Sequence, residues 1–312
     1  MKKIILRLLF LTVTLIMADE RIETSMNCSS SCQQLIEQNQ SNKIICKFNH
    51  LNDIKLACLN NQTNEILLIS NNKNIILNRK LNLKQIQNSN VFYLILSRFN
   101  GFSLNNDDDQ FKTKTTCNLI IHNSNFEFYT NKSKPMTQSQ CNQAYFKDDD
   151  YQLFNINSHL ILSKMNFNAE VCQYVFKNAH INYMHLNHQC DSFIEKNFIQ
   201  FSQLFASNNN LNSKIYSLIF DNFYRVNLDE SILNKFVFEN LIEIRLSGTM
   251  KKIDKNMFSS FKLLKYIEIR VFNFKEFVSY GLDWMLNINK PCGITLDIYS
   301  SDSFREYILK IF

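Results

Sequence analysis

The densest group of chemically capable side chains lies in one short stretch: His180, His185, His188, Cys190 and Asp191. His185 and His188 are close enough in sequence to approach one metal ion. Their spacing matches no zinc signature, however, and Cys190 is read as a disulfide partner. Two acidic runs, Asp107-Asp108-Asp109 and Asp148-Asp149-Asp150, have the charge to attract calcium. They lack the alternating D-x-D-x-D-G order that wraps oxygen ligands around that ion, so they are read as solvated loops. No G-x-S-x-G or H-E-x-x-H occurs, which leaves neither a nucleophile elbow nor a metalloprotease helix. The 4 glycines stand at Gly101, Gly248, Gly281 and Gly293 and allow no phosphate-cradling loop. The chain is therefore expected to be non-catalytic, with no cofactor and no resident metal.

Whatever it binds must be held by a scaffold, and 312 residues that are 45% hydrophobic suffice to build one. The 27 Phe and 12 Tyr argue against disorder. A net charge of +6 is modest for this length, and the Lys and Arg are spread along the chain instead of gathering into a stripe. That pattern argues against a nucleic-acid partner.

Met1-Lys2-Lys3 followed by the apolar stretch Ile4–Met17 and a small Ala18 has the three-part form of a secretory signal, so residues 1–18 are assigned to one. No other segment is apolar over the roughly 18 residues a membrane helix needs. Export agrees with 9 cysteines that lack the C-x₂-C pairs of zinc sites. Cys28, Cys32, Cys46 and Cys58 crowd residues 19–62 and admit three connectivities. Cys117 and Cys141 flank one insertion, Cys172 and Cys190 follow, and Cys292 stands apart, either a buried thiol or the partner of a cysteine beyond Phe312. Asn27, Asn61 and Asn131 begin N-x-[ST] sequons and are glycosylation candidates.

From residue 63 to 312 the chain repeats itself. Leu241-Ile-Glu-Ile244-Arg-Leu246 reappears as Leu264-Lys-Tyr-Ile267-Glu-Ile269, and the same frame fits Ile215-x-x-Leu218-x-Phe220, Ile181-x-x-Met184-x-Leu186 and Val91-x-x-Leu94-x-Leu96. Fourth-position residues fall at Leu67, Leu94, Leu119, Leu160, Met184, Leu218, Ile244, Ile267 and Ile294, which defines about nine degenerate repeats. Six of the eight steps lie within the roughly 20–29-residue period of solenoid repeats. The two long steps read as insertions, one holding Asn123 to Asn155 and the other Ser207 to Asn210. Between strands, Asp254–Phe261, Asp229–Phe238 and Asn273–Met285 carry helical spacing. Alternating strand and helix predicts an α/β solenoid with a parallel sheet on one face and short helices on the other. With so little Gly, asparagine is expected to take the left-handed turn positions.

The segment Leu241–Ile269, with Ile253-Asp-Lys-Asn-Met257-Phe-Ser-Ser-Phe261 between its strands, resembles the leucine-rich-repeat ectodomains of animal cell-surface receptors and secreted binding proteins. The resemblance runs from about Cys28 to Ile298. It implies a disulfide-bonded N-terminal cap over residues 19–62 and a concave sheet that binds an extracellular protein or peptide. The repeat asparagine of that family survives only at Asn72, with Phe99, Phe223 and Phe272 elsewhere. A related solenoid of the receptor L-domain type is the runner-up fold.

Strand alternation places Tyr93, Glu243, Arg245, Ser247, Tyr266, Glu268 and Arg270 on the outward face. Arg245 and Glu268 occupy equivalent positions on adjacent strands and read first as a register-fixing ion pair. The same column continues as Leu68, Ile95, Ile120, Ile161, His185 and Ile219. An apolar row there is either a hydrophobic ligand track or a surface covered by the Cys117–Cys141 insertion. The expected function is an extracellular protein- or peptide-binding ectodomain of a membrane receptor. The alternatives are a complete secreted binding protein and a secreted enzyme on an unrelated fold. Continuation past Phe312 into a membrane span separates the first two.

Overall fold

Residues that alternate with period two between full burial and partial exposure form strands here, and they do so at a regular interval along the chain. In a computed structural model, the described residues are 24–27, 32–36, 42–51, 63–72, 74–78, 91–104, 113–115, 117–131, 134–137, 140–141, 146, 151–167, 170–187, 199–201, 211–288, 292–298 and 307–311. The strands are β1 Thr24–Asn27, β2 Cys32–Ile36, β3 Asn42–Phe48, β4 Thr63–Ser70, β5 Ile76–Leu77, β6 Tyr93–Ser97, β7 Gly101–Ser103, β8 Thr113–Thr115 and β9 Asn118–His122. They continue as β10 Phe128–Asn131, β11 Lys134–Pro135, β12 Phe154–Ser163, β13 His180–Asn187, β14 Lys214–Leu228, β15 Glu243–Ile253, β16 Tyr266–Val271, β17 Gly293–Ile298 and β18 Tyr307–Ile311.

One large sheet runs β1-β2-β3-β4-β6-β9-β12-β13-β14-β15-β16-β17-β18, with β8 paired to the start of β12. Every pairing from β3 to β17 is parallel, whereas β1-β2, β2-β3 and β17-β18 are antiparallel. The molecule is a parallel β-solenoid ended by antiparallel pairings, β1-β2-β3 on one side and β17-β18 on the other. Leu94, Leu119, Leu160, Met184, Leu218, Ile244, Ile267 and Ile294 face one another across successive strands. All are buried in a single core. Leu94 is opposite Ile66, not Leu67. The first repeat therefore sits one residue earlier than its sequence pattern suggests, and a one-residue slip exchanges the two faces of a strand. Leu68 points into the core, and Leu67 joins the outward column.

The return segments are not the expected layer of helices. The one α-helix among the described residues is α1, Phe274–Ser279, and it covers only part of Asn273–Met285; a 3₁₀ turn follows at Asp283–Asn287. Asp229–Phe238 and Asp254–Phe261 are chains of turns, held by bonds such as Met257 N–H to Asp254 O and Phe261 N–H to Phe258 O. Their Ile232, Leu233, Val237, Phe238, Met257, Phe258 and Phe261 are nonetheless buried. Helices about 10–12 Å wide cannot stack side by side over strands about 4.8 Å apart without strong sheet curvature, and flatter turns can.

On the N-terminal turns the return carries a second sheet, β11-β10-β7-β5, parallel except at β11. The stretch read as an insertion thus begins as a regular turn whose β10 stacks on β7. Phe102, Phe126, Phe128 and Phe154 pack their rings between the two sheets, with centroids 5.1–6.3 Å apart.

Asparagine takes much of the work that glycine does elsewhere. Positive φ occurs at Asn123, Asn178, Asn212 and Asn222, along with Arg98, Lys164 and Arg225. Six residues after the fourth position, an asparagine recurs at Asn72, Asn100, Asn125, Asn166 and Asn273. Asn125 Nδ2 donates to Asn100 Oδ1 at 2.8 Å, and Asn166 Nδ2 donates to Asn125 Oδ1 at 3.3 Å. The repeat asparagine is thus a ladder one position later than read, not the lone survivor Asn72.

Candidate binding face

The outward side of the large sheet holds every side chain the sequence proposes for partner binding, in three columns set by the register. The middle column reads Ile45, Leu67, Ile95, Ile120, Ile161, His185, Ile219, Arg245, Glu268 and Thr295. It changes character halfway along. Leu67, Ile95 and Ile120 are 3%, 6% and 2% exposed and form their own cluster with Ile45, Ile69, Tyr93 and Ile161. An apolar row this buried is packed, so Ile95 presents almost no surface to a ligand. Tyr93 is half-buried at the edge of that cluster, its hydroxyl pKa raised by burial and by nearby Glu65. Phe92, 58% exposed, meets it edge to face at 4.7 Å.

His185 begins the polar half. Its Nε2 lies 2.8 Å from Asp221 Oδ2, one strand over. His159 Nδ1 sits 2.8 Å from Asn118 Oδ1, and its ring stacks on Tyr183 with centroids 4.6 Å apart. Burial lowers the His159 pKa, and nearby His185 lowers it further. Tyr183 is 37% exposed.

Beyond His185 a chain of charges crosses three strands. Arg245 Nη2 and Nε bond Glu243 on its own strand, and Nε lies 3.6 Å from Glu268 Oε2. Glu268 Oε1 takes Arg270 Nη2 at 2.5 Å, and Arg270 Nε reaches Asp297 Oδ2 at 3.2 Å. The expected Arg245–Glu268 pair is thus one of the longer contacts of a network. The carboxylates of Glu268 and Asp297 are 9% and 8% exposed, while the guanidinium-bearing chains of Arg245 and Arg270 are 43% and 38% exposed. Carboxylates from below hold the arginines in place, and the arginines are what a partner would meet. Tyr266 completes the patch, half-buried, with its hydroxyl 3.3 Å from Thr295 Oγ1.

Sequence reading missed His159, Tyr183, Asp221 and Asp297. Their signal was present: each stands two positions before or after the middle column, in a column that also holds a residue read as outward, such as Glu243, Ser247 or Arg270.

Among the described residues two disulfides fix the scaffold. Cys32 bonds Cys46, joining β2 to β3 within the proposed cap. Cys141 bonds Cys172, not Cys117, which is buried at the start of β9. The insertion is therefore tied forward to the turn before β13. Cys292 is buried, and that burial raises its thiol pKa. Cys28, Cys58 and Cys190 lie outside the described residues, as do His188, Asp191, both acidic runs, Asn61 and residues 1–18. Asn27 and Asn131 end β1 and β10. Among the described residues no group of three or more His, Cys, Asp or Glu converges as metal ligands, and no helix is long and apolar enough to cross a membrane. No protein-family model, curated protein or solved structure matches the chain.

Proposed function

We propose that this chain is an extracellular, non-catalytic binding domain of leucine-rich-repeat type, the ectodomain of a membrane receptor, whose polar outward face takes a protein or peptide ligand. The observation that carries this reading is the patch spanning β13 to β17. There Tyr183, Arg245, Tyr266 and Arg270 are set on contiguous parallel strands and braced from beneath. Aromatic and arginine side chains held rigidly on a preformed surface have the character of interface hot spots, because little side-chain entropy is lost on binding. The disulfides Cys32–Cys46 and Cys141–Cys172 agree with an oxidising compartment. The parallel ladder with a disulfide-bonded N-terminal end supports a solenoid of this kind.

The test is to express the chain from its own start codon in eukaryotic cells. The medium is checked for oxidised Cys32–Cys46, and the multimerised protein is then probed against displayed extracellular proteins. A ligand whose affinity falls at least about tenfold in a Tyr183→Ala/Arg245→Ala variant, and not in Leu286→Ala at an 84% exposed site on the return side, supports the reading. Retention in the cytosol with reduced thiols, or binding indifferent to the face variant, refutes it.

A further inference from the structure

Three successive turns leave the sheet through the same left-handed corner, at Arg98 after β6, Asn123 after β9 and Lys164 after β12, with φ of 66°, 48° and 51°. The corners are stacked in register: Arg98 N–H donates to His122 O, Asn123 N–H to Ser163 O and Lys164 N–H to Asn187 O. Each therefore starts its side chain from the equivalent point of its turn. Arg98 and Lys164 are two strand spacings apart, about 10 Å, with Asn123 and the His122 ring between them. Two long side chains at that separation close readily onto one small ion.

Arg98 and Asn123 are exposed, and Lys164 and His122 are half-buried. Among the described residues neither cation has an ion-pair partner. Several other charges of this sheet are matched in pairs: Lys43 with Glu65 at 2.7 Å, Arg225 with Glu276 at 2.9 Å, Arg270 with Glu268 and Asp297. The rim positions in register, Ser97, His122, Ser163 and Asn187, bring no carboxylate, and Asp221, the next in that row, is bonded to His185 Nε2 at 2.8 Å. We infer that this corner is a binding site for a tetrahedral oxyanion, sulfate or phosphate, clasped by Arg98 and Lys164 over His122 and Asn123. Arginine offers a planar fork to two oxygens and lysine a point charge. His122 Nδ1 is engaged with Ser163 Oγ at 3.3 Å, which leaves Nε2 facing away from that bond and available to a third oxygen. Burial lowers the imidazole pKa, and the adjacent Lys164 and Arg98 lower it further. An anion seated between the cations would offset that second influence.

The site stands apart from the protein-binding patch of β13–β17, and its test needs no protein ligand, so either can fail alone. Inorganic sulfate and inorganic phosphate are titrated into the full chain at constant ionic strength, while the His122 ring is followed by NMR. The expected result is saturable perturbation of His122 with a rise in its pKa. Binding should weaken about tenfold or more in Arg98→Gln and in Lys164→Gln, and be unchanged in Arg270→Gln. No saturable change, or equal binding in the Arg98→Gln/Lys164→Gln double variant with a wild-type melting profile, overturns the assignment.

Discussion

Asn125 is the middle rung of the asparagine ladder, and removing its side chain measures what the ladder contributes. Its Nδ2 gives one hydrogen bond at 2.8 Å and its Oδ1 receives another at 3.3 Å. The backbone bond from Asn125 N–H to Phe99 O at 2.9 Å does not depend on the side chain. Asn125→Ala therefore deletes two partly buried bonds worth about 1 kcal/mol each, the longer one less. A net loss of about 1–2 kcal/mol is expected, equivalent to a fall in Tm of roughly 2–4 °C for a domain of this size. Asn125→Asp keeps the shape but turns a donor into an acceptor facing Asn100 Oδ1, and should lose more than alanine does. Urea unfolding read by near-UV circular dichroism gives both values, and the pair Asn100→Ala and Asn125→Ala should be non-additive because they share a bond. If both Asn125 variants lie within about 0.5 kcal/mol of the parent, the ladder is decorative and the stacking argument is wrong.

Gly248→Ala should be far more damaging, because an added Cβ would lie 2.2 Å from Phe223 O and 2.7 Å from Phe223 N, backbone atoms that cannot step aside. A loss of about 3 kcal/mol or more, seen as a collapsed melting transition, is expected. Cys141→Ser/Cys172→Ser opens a link between residues 31 apart and should cost about 3–4 kcal/mol in denaturant, and reducing the parent protein, which also opens Cys32–Cys46, should cost more. Glu276 titrates below an ordinary glutamate, first because Asn273 donates to it and then because Arg225 does. Its help in holding α1 to β14 is thus complete above the ordinary glutamate pKa and is lost as pH falls through the lowered folded value. Carboxylate NMR should report that low titration point, and Arg225→Gln should raise it.

The strand ladder was legible because a fully buried fourth-position residue must recur once per turn, and eight of the nine such residues named from the sequence stand opposite one another. The ninth failed at Leu67, where Ile66, Leu67, Leu68 and Ile69 are all apolar and both registers satisfy the pattern. That slip also hid the asparagine ladder. Counted from Leu67, Asn72 is five residues on; counted from Ile66 it is six, in phase with Asn100, Asn125 and Asn166. The helices were misread because Met257, Phe258 and Phe261 reach the core equally well from turns, and apolar spacing does not tell the two apart. Strands as short as β5 and β11 have too few residues to show alternation. Cysteine pairing depends on which turns stack, so Cys141–Cys172 had no signature of its own. On the face, the charged end was legible as Glu243, Arg245, Glu268 and Arg270, whereas Asp297 and Asp221 became visible only through pairing across strands.

The reversed strands at the two ends have a mechanical consequence. Tension between the N- and C-terminal ends runs along the stack, across the strands, so it loads the backbone hydrogen bonds one strand at a time instead of shearing many together. At the C-terminal end, β18 is held to β17 through the pairs Ile294–Ile311 to Ile298–Tyr307, and among the described residues no disulfide joins the two. At the opposite end Cys32–Cys46 rivets β2 to β3. A pulled molecule should therefore pay out chain from its C-terminal end first, catch partway at Cys141–Cys172 and hold last at its N-terminal rivet, behaving as a one-ended ratchet strap under load.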